Sequence, residues 1–149
     1  MKSYKAMLQE TEFIRILRKN QHKITPQRLG LIRYVCSNPG HFTAEEAYRN
    51  LKKSEPTITL ATVYNILKIF TKAGILNTFE SNGSRWFETN SALHVNFICE
   101  NCGSIEDYEA SDITPILKKI KESGGTFVSG TILVRGYCRN CAKAIERDH

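Results

Sequence analysis

No stretch of this 149-residue sequence approaches the ~20 consecutive apolar residues that a membrane-spanning helix requires. The first ten residues lack the apolar core of a signal peptide. Internal repeats and low-complexity tracts are also lacking. We therefore expect a protein with no membrane association that works in the cytoplasm, where cysteines are normally reduced.

The sequence has five cysteines, and four of them form two C-x-x-C pairs. Cys99 and Cys102, followed by Gly103, form the first pair; Cys138 and Cys141 form the second. In a reducing compartment such pairs favour metal over disulfides, and four thiolates complete a closed tetrahedral zinc site. A reduced dithiol or a redox pair is the alternative. The spacing predicts structural Zn²⁺.

Harder ligands surround the first cysteine pair: Glu88, His94, Asn96, Glu106 and Asp107. A mixed nitrogen and oxygen set suits an exchangeable ion such as iron, manganese or zinc better than a structural zinc. His41, which we place on a loop between two helices, is a further candidate. Neither histidine has a neighbour at the spacing of a helix-borne metal site, so ordinary exposed histidines remain the alternative.

Positive charge is concentrated in the first part of the chain. Residues 1–90 contain 14 Lys and Arg against 7 Asp and Glu, a net charge of +7. Residues 91–149 contain 7 against 8, a net charge of −1. This distribution is typical of a nucleic-acid-binding module joined to a neutral one. A basic domain without a polyanionic partner is the alternative on charge alone.

Apolar periodicity and capping signals predict an N-terminal half made of helices and a hairpin. The four predicted helices are Tyr4–Lys19, one that Thr25 caps and that ends at Asn38, one from the capping box at Thr43 to Leu51, and Leu60–Ala73. Strands from Ile75 to Ser81 and from Arg85 to Glu88 flank Asn82-Gly83, a strong hairpin turn. Helices followed by such a hairpin predict a winged helix-turn-helix. Cys36, on an apolar helix face, is expected to be a buried hydrophobe.

The fourth predicted helix has a face that suits the major groove of DNA. Ala61, Asn65, Lys68 and Lys72 lie together on this face, which is small, amide-bearing and basic. Arg85, near the hairpin tip, would lie along the phosphates. An ordinary solvated helix face is the alternative.

The second module is predicted to be α+β and to begin near Ser91. Its predicted elements are strands His94–Cys99 and Ser104–Tyr108, helix Asp112–Ser123 and strand Thr126–Tyr137. So short a segment buries little core alone, and we expect its helix and strands to need a partner surface.

The sequence resembles the ferric uptake regulator (Fur) family of bacterial and archaeal repressors over nearly its whole length. The resemblance rests on Thr25-Pro26-Gln27-Arg28, on Leu60-Ala61-Thr62-Val63-Tyr64 and on the two C-x-x-C pairs. It implies a winged-helix DNA-binding domain at residues 1–90 and a small α/β dimerisation domain with a four-cysteine zinc site at residues 91–149. It also implies a homodimer that metal loading closes onto a palindromic operator in double-stranded DNA.

The resemblance also assigns roles by position. The structural zinc ligands would be Cys99, Cys102, Cys138 and Cys141. The regulatory metal positions would be His41, Glu88, His94, Asn96 and Asp107. The DNA-binding residues would be Arg28, Ala61, Thr62, Tyr64, Asn65, Lys68 and Arg85.

The sequence departs from the family pattern in the regulatory set. Asn96 replaces the second histidine of a His-x-His motif, so its carbonyl oxygen or a water would take that place. Leu93 and Val95 replace polar residues that many members use for an additional metal site, which we expect to be absent. Asp107 resembles the peroxide-responsive branch, whereas Glu88 is usual in iron- or zinc-responsive members.

We therefore predict a metal-dependent, DNA-binding repressor rather than an enzyme. The expected regulatory ion is Fe²⁺ or Mn²⁺, with Zn²⁺ as another candidate and peroxide sensing as an open extension. A zinc- or iron-responsive repressor without peroxide sensing is the alternative. A zinc-ribbon RNA-binding protein would need stacking aromatics on a basic sheet, whereas the positive charge here lies in the helical half. A mononuclear metalloenzyme using His41, His94 and a carboxylate would need a substrate-binding motif, and none is evident.

Overall fold

The computed structural model of the protein describes residues 9–89, 92–128 and 130–147. These residues fall into two compact units, one within Lys5–Ser91 and the other within Ala92–His149. The predicted domain boundary at residues 90 and 91 lies outside the described residues, as does the first part of the predicted helix Tyr4–Lys19. Within the described ranges, no helix has the length and apolar character needed to cross a membrane.

The first unit contains four helices, as predicted. They are α1 (Glu10–Lys19), α2 (Pro26–Ser37), α3 (Ala44–Leu51) and α4 (Leu60–Lys72). A threonine precedes each of the last three and accepts a hydrogen bond from a backbone N–H of the first turn. At Thr43 the bond is reciprocal, because the Glu46 carboxylate accepts from the Thr43 N–H at 2.8 Å. These local caps explain why the helix starts could be predicted.

The apolar faces of the four helices meet in one core. Phe13 of α1 and Phe70 of α4 are fully buried, and their rings make an edge contact at 5.7 Å between centroids. On α4, Ile66 is buried in this core, whereas Leu60 is only partly buried. Cys36 is half-buried and packs against this core rather than within it.

A three-stranded antiparallel sheet completes the first unit. Its strands are β1 (His41–Thr43), β2 (Asn77–Ser81) and β3 (Ser84–Glu88), in the order β1-β3-β2. The β2–β3 hairpin is the predicted wing, and its turn residues Asn82 and Gly83 both have positive φ. The placement of His41 on a loop was wrong: Phe42 pairs with Phe87, and this pairing makes residues 41–43 a strand.

The second unit has a mixed sheet with two helices. Its elements are β4 (His94–Cys99), β5 (Ile105–Glu109), a 3-10 turn (Ser111–Ile113), α5 (Thr114–Glu122), β6 (Ile132–Gly136) and α6 (Arg139–Arg147). β5 pairs antiparallel and β6 parallel to the central β4. The predicted strand Thr126–Tyr137 was too long, because β6 extends only where β4 offers partners, from Val95 to Cys99. Helix α6 was not predicted.

Apolar side chains are widely exposed in the second unit. The large exposed apolar residues of the described chain all belong to it: Tyr108, Ile116, Ile120, Phe127, Val128, Leu133, Val134 and Tyr137. Only Ile98 and Cys99 among its described apolar residues are buried. The expectation of a small core is therefore confirmed, and so extensive an apolar surface is typical of an interaction site.

Candidate metal centre and DNA-binding surface

Two backbone features bring the four paired cysteines together. Gly103, at φ +72°, closes a tight turn in which its N–H donates to the Cys99 carbonyl at 2.9 Å. β6 runs parallel to β4 and ends directly before the second pair, so the Cys138 N–H donates to Cys99 Sγ at 3.3 Å. Cys141 lies in the first turn of α6. A contact between residues 39 positions apart thus completes the cluster.

The sulfur atoms fit a tetrahedral zinc. All four lie within 4.8 Å of one another, and Cys102 Sγ and Cys138 Sγ are 3.9 Å apart. Zinc–sulfur bonds of ~2.3 Å in a tetrahedron give sulfur–sulfur edges of about 3.8 Å. The donor set and its spacing therefore suit a closed structural site, held by Cys99, Cys102, Cys138 and Cys141.

The surroundings of the sulfurs shift the pKa values of the cysteine thiols in opposite directions. Backbone N–H groups of Cys102 and Cys138 lower the pKa of Cys99 to about 6, and the Ser104 hydroxyl lowers the pKa of Cys102. The Asn101 amide, 3.3 Å from Cys141 Sγ, acts to lower the pKa of that thiol, but the neighbouring cysteines outweigh it and raise the value to about 11. Clustered thiols thus retain protons that a cation would displace. Sequence reasoning did not identify Asn101.

The first unit contains two of the candidate regulatory ligands. His41 and Glu88 are direct partners across the β1–β3 ladder, and His41 Nε2 lies 3.0 Å from Glu88 Oε2. Glu88 is 2% exposed, and a buried carboxylate is costly unless it is paired or bound to a cation. Two sequence-distant candidates thus form a preorganised imidazole–carboxylate pair.

The second unit contains three further candidates. His94 and Asn96 lie on the same buried face of β4, and Asp107 is the direct partner of Asn96 on β5. His94 Nδ1 is 2.8 Å from the Ala92 carbonyl, so Nδ1 is the donor and Nε2 carries the lone pair of the neutral ring. This fixed tautomer is typical of metal-ligating histidines.

Glu106 does not belong to this face. It pairs with Phe97, so it projects from the opposite side of the sheet, and it accepts a hydrogen bond from Tyr108 at 2.9 Å. Its place among the harder ligands of the sequence was therefore wrong.

The predicted DNA-binding residues of α4 face solvent. Ala61, Asn65, Lys68 and Lys72 are all exposed. Thr62 is half-buried and its N–H bonds to the Thr59 hydroxyl, so it also helps to begin the helix.

A cleft of about 250 Å³ separates α4 from the wing. Lys68, Lys72 and Arg85 line it, together with Tyr64 and Asn65, and none of the described residues that line it is acidic. A cleft with these side chains suits a polyanion.

The two predicted arginine contacts differ in their surroundings. Arg85 is exposed on the wing, where it pairs with Glu80 at 2.8 Å. A surface pair of this kind contributes little, so phosphate can replace the Glu80 carboxylate. Arg28 is half-buried and donates to the Lys23 carbonyl at the start of α2, and it does not line the cleft.

Comparison with known proteins agrees with this architecture. The model of the ferric uptake regulator family matches residues 19–134. The peroxide-responsive repressor PerR of Staphylococcus aureus is 35% identical over 133 residues, which cover 87% of this chain and 89% of the relative. The ferric uptake regulator Fur of Helicobacter pylori, whose structure has three functional metal-binding sites, superposes with a TM-score of 0.75 at 21% identity, covering 95% and 97% of the two chains. The manganese-containing ferric uptake regulator of Pseudomonas aeruginosa gives 0.73 at 25% identity over 83% and 95%.

The family match extends over both units, and it includes all the candidate ligands except the second cysteine pair. The chain therefore belongs to the ferric uptake regulator family of metal-responsive transcriptional repressors.

Proposed function

We propose that the protein is a homodimeric, cytoplasmic repressor whose affinity for double-stranded DNA depends on a regulatory metal. One observation carries the proposal: His41 and Glu88 lie on β1 and β3, and β3 is also the wing strand that carries Arg85. β1 ends at Thr43, whose side chain caps α3. A cation held by His41 and Glu88 is thus coupled to the elements that meet DNA.

The candidate ligands of the second unit would make the metal site a switch for DNA binding. His94, Asn96 and Asp107 would hold the same cation from the second unit, and the shared ion would restrict the motion of one unit against the other. In a dimer, only a restricted arrangement keeps two α4 helices one DNA turn apart, about 34 Å. The ion favours that arrangement because it binds it more tightly than the alternatives.

The donor atoms favour Fe²⁺ or Mn²⁺ as the regulatory ion. Two imidazoles, two carboxylates and the Asn96 amide oxygen would form a set rich in oxygen and without thiolate, and imidazole in place of Asn96 would raise the affinity for Zn²⁺. Zn²⁺ remains the ion of the four-cysteine site. Peroxide sensing follows as an extension, since a relative at 35% identity is a peroxide-responsive repressor.

A second copy of the chain is the proposed partner of the second unit. Its exposed apolar side chains, such as Ile116, Val128 and Val134, would be covered in a symmetric dimer. The dimer also predicts that the operator is two-fold symmetric.

Metal and salt titrations of DNA binding test the proposal. We expect the Mn²⁺-loaded protein to bind a palindromic duplex, with log Kd rising steeply with log salt because each neutralised phosphate contributes a slope of about 0.9. Arg85→Ala should weaken binding to all sequences alike and reduce the slope by about 1. Asn65→Ala should instead cost about 1–3 kcal/mol of discrimination at one base pair. Fluorescence anisotropy measures all three effects.

Arg139→Ala serves as the matched control, since this exposed arginine lies on α6 of the second unit and is not among the residues that line the cleft. Its affinity should equal that of the wild type. Salt-insensitive binding, equal binding in chelator, or a preference for single-stranded RNA would refute the proposed function.

A further inference from the structure

A hydrogen bond joins the DNA-facing helix to the helix before it. The Tyr64 hydroxyl, on α4, donates to Glu45 Oε1 on α3 at 2.9 Å. Glu45 is exposed in the first turn of α3, where the helix dipole favours a carboxylate. The capping function of α3 belongs to the next residue, Glu46, so the cap does not require Glu45.

The bond determines what the Tyr64 hydroxyl can offer to DNA. A phenol has one proton, and here the proton points to Glu45, so the oxygen presents only lone pairs. The hydrogen bond to Glu45 and partial burial raise the pKa of Tyr64, and the positive charge of Arg85 opposes the shift. The hydroxyl therefore stays protonated and its proton stays engaged.

The charge of Glu45 also restricts which DNA group can bind to the Tyr64 hydroxyl. A carboxylate 2.9 Å from the hydroxyl repels phosphate oxygens, and a hydroxyl that only accepts has no proton to donate to them. Tyr64 borders the cleft next to Asn65, where α4 faces solvent. A base edge that donates a hydrogen bond is the partner that fits.

We propose that Glu45 is a positioning residue that makes Tyr64 an acceptor-only reader of the major groove, selecting an adenine N6 or cytosine N4 amino group. These amino groups are the major-groove donors of the four bases. The inference rests on the proposed binding of DNA through α4 and adds the base class that Tyr64 recognises. It also gives an acidic residue beside a polyanion-binding cleft a role in specificity.

The test measures base preference in a double-mutant cycle. A duplex is selected from a random pool by the Mn²⁺-loaded wild type, and each base pair of one half-site is then substituted in turn. We expect one position at which the wild type prefers an amino-bearing base by about five- to tenfold, the effect of one hydrogen bond. Glu45→Ala and Tyr64→Phe should each lose this preference, and the double variant should lose no more than either single variant.

A base analogue tests the same hydrogen bond by removing the amino group from the DNA. At an adenine position, purine without the 6-amino group should weaken wild-type binding by the same factor and leave Tyr64→Phe unaffected. Glu80→Ala is the matched control, because it removes an exposed carboxylate from the wing without touching Tyr64. It should change the affinity for all duplexes alike and keep the base preference.

Two results would overturn the inference while leaving the proposed function intact. One is a Glu45→Ala protein with the wild-type preference at every position. The other is a Tyr64→Phe protein that binds all duplexes equally more weakly, which indicates a phosphate contact. If the wild type selects no duplex from the pool, the proposed function and this inference both fail.

Discussion

Replacing Cys138 by serine is expected to remove the tightly bound zinc and to unfold the second unit or dissociate the dimer. Cys138 supplies one of the four thiolates, and its N–H bonds to Cys99 Sγ. Structural zinc in small sites contributes about 10–16 kcal/mol of apparent binding free energy, which is comparable to the 5–15 kcal/mol stability of a whole domain. The described residues of this unit bury few apolar side chains, so its stability should depend strongly on the zinc.

Zinc content per chain and sedimentation velocity measure the effect. Cys36→Ser is the matched control, because this cysteine lies on α2, outside the cluster, and its replacement should keep the zinc and the dimer. A Cys138→Ser protein that stays dimeric with one zinc per chain would show that the four-cysteine set is not a structural site.

Stoichiometric peroxide is expected to abolish operator binding by the iron-loaded protein. The motive is the proposed ligand set, which has two histidines, His41 and His94, and which has Asn96 where the family resemblance implies a further histidine. Oxidation would transfer one oxygen atom from peroxide to an imidazole and release water. Asp107 is the ligand that we expect to tune this reaction. Peptide masses and DNA binding, recorded after anaerobic iron loading and peroxide addition, measure the outcome.

Manganese-loaded protein is the control for that experiment, since it has the same ligands without iron. It should keep its histidine masses and its DNA affinity. Unmodified His41 and His94 in the iron form, with DNA binding intact, would rule out peroxide sensing and leave a simple metal-responsive repressor.

Local signals made the first unit predictable. Threonine side chains at positions 25, 43 and 59 satisfy the first N–H groups of their helices, so the helix starts could be predicted from adjacent residues. Asn82-Gly83 determined the wing in the same way, because both residues must adopt positive φ. The spacing of the cysteines likewise predicted a cluster that the structure contains.

Long-range contacts limited the prediction elsewhere. Strand β1 exists because Phe42 pairs with Phe87, 45 positions away, and the length of β6 depends on its partner β4. Glu106 and Asp107 are adjacent on β5 and therefore face opposite sides of the sheet, but only the β4–β5 register shows that Asp107 shares the face of Asn96. The hydrogen bond between Glu45 and Tyr64 likewise joins two helices through residues that are 19 positions apart. No periodicity or motif encodes such pairings.

The most direct test of whether one ion joins ligands of both units is the operator affinity as a function of free Mn²⁺. It is measured for the wild type, for His41→Ala and for His94→Ala. Each variant removes a proposed ligand from a different unit and leaves the four cysteines intact. For the wild type we expect Mn²⁺ to raise the affinity by about 5- to 150-fold, the usual range of coupling between two sites. Both variants should bind the operator weakly at all Mn²⁺ concentrations while retaining their zinc. A wild-type response to Mn²⁺ in either variant would contradict the shared site.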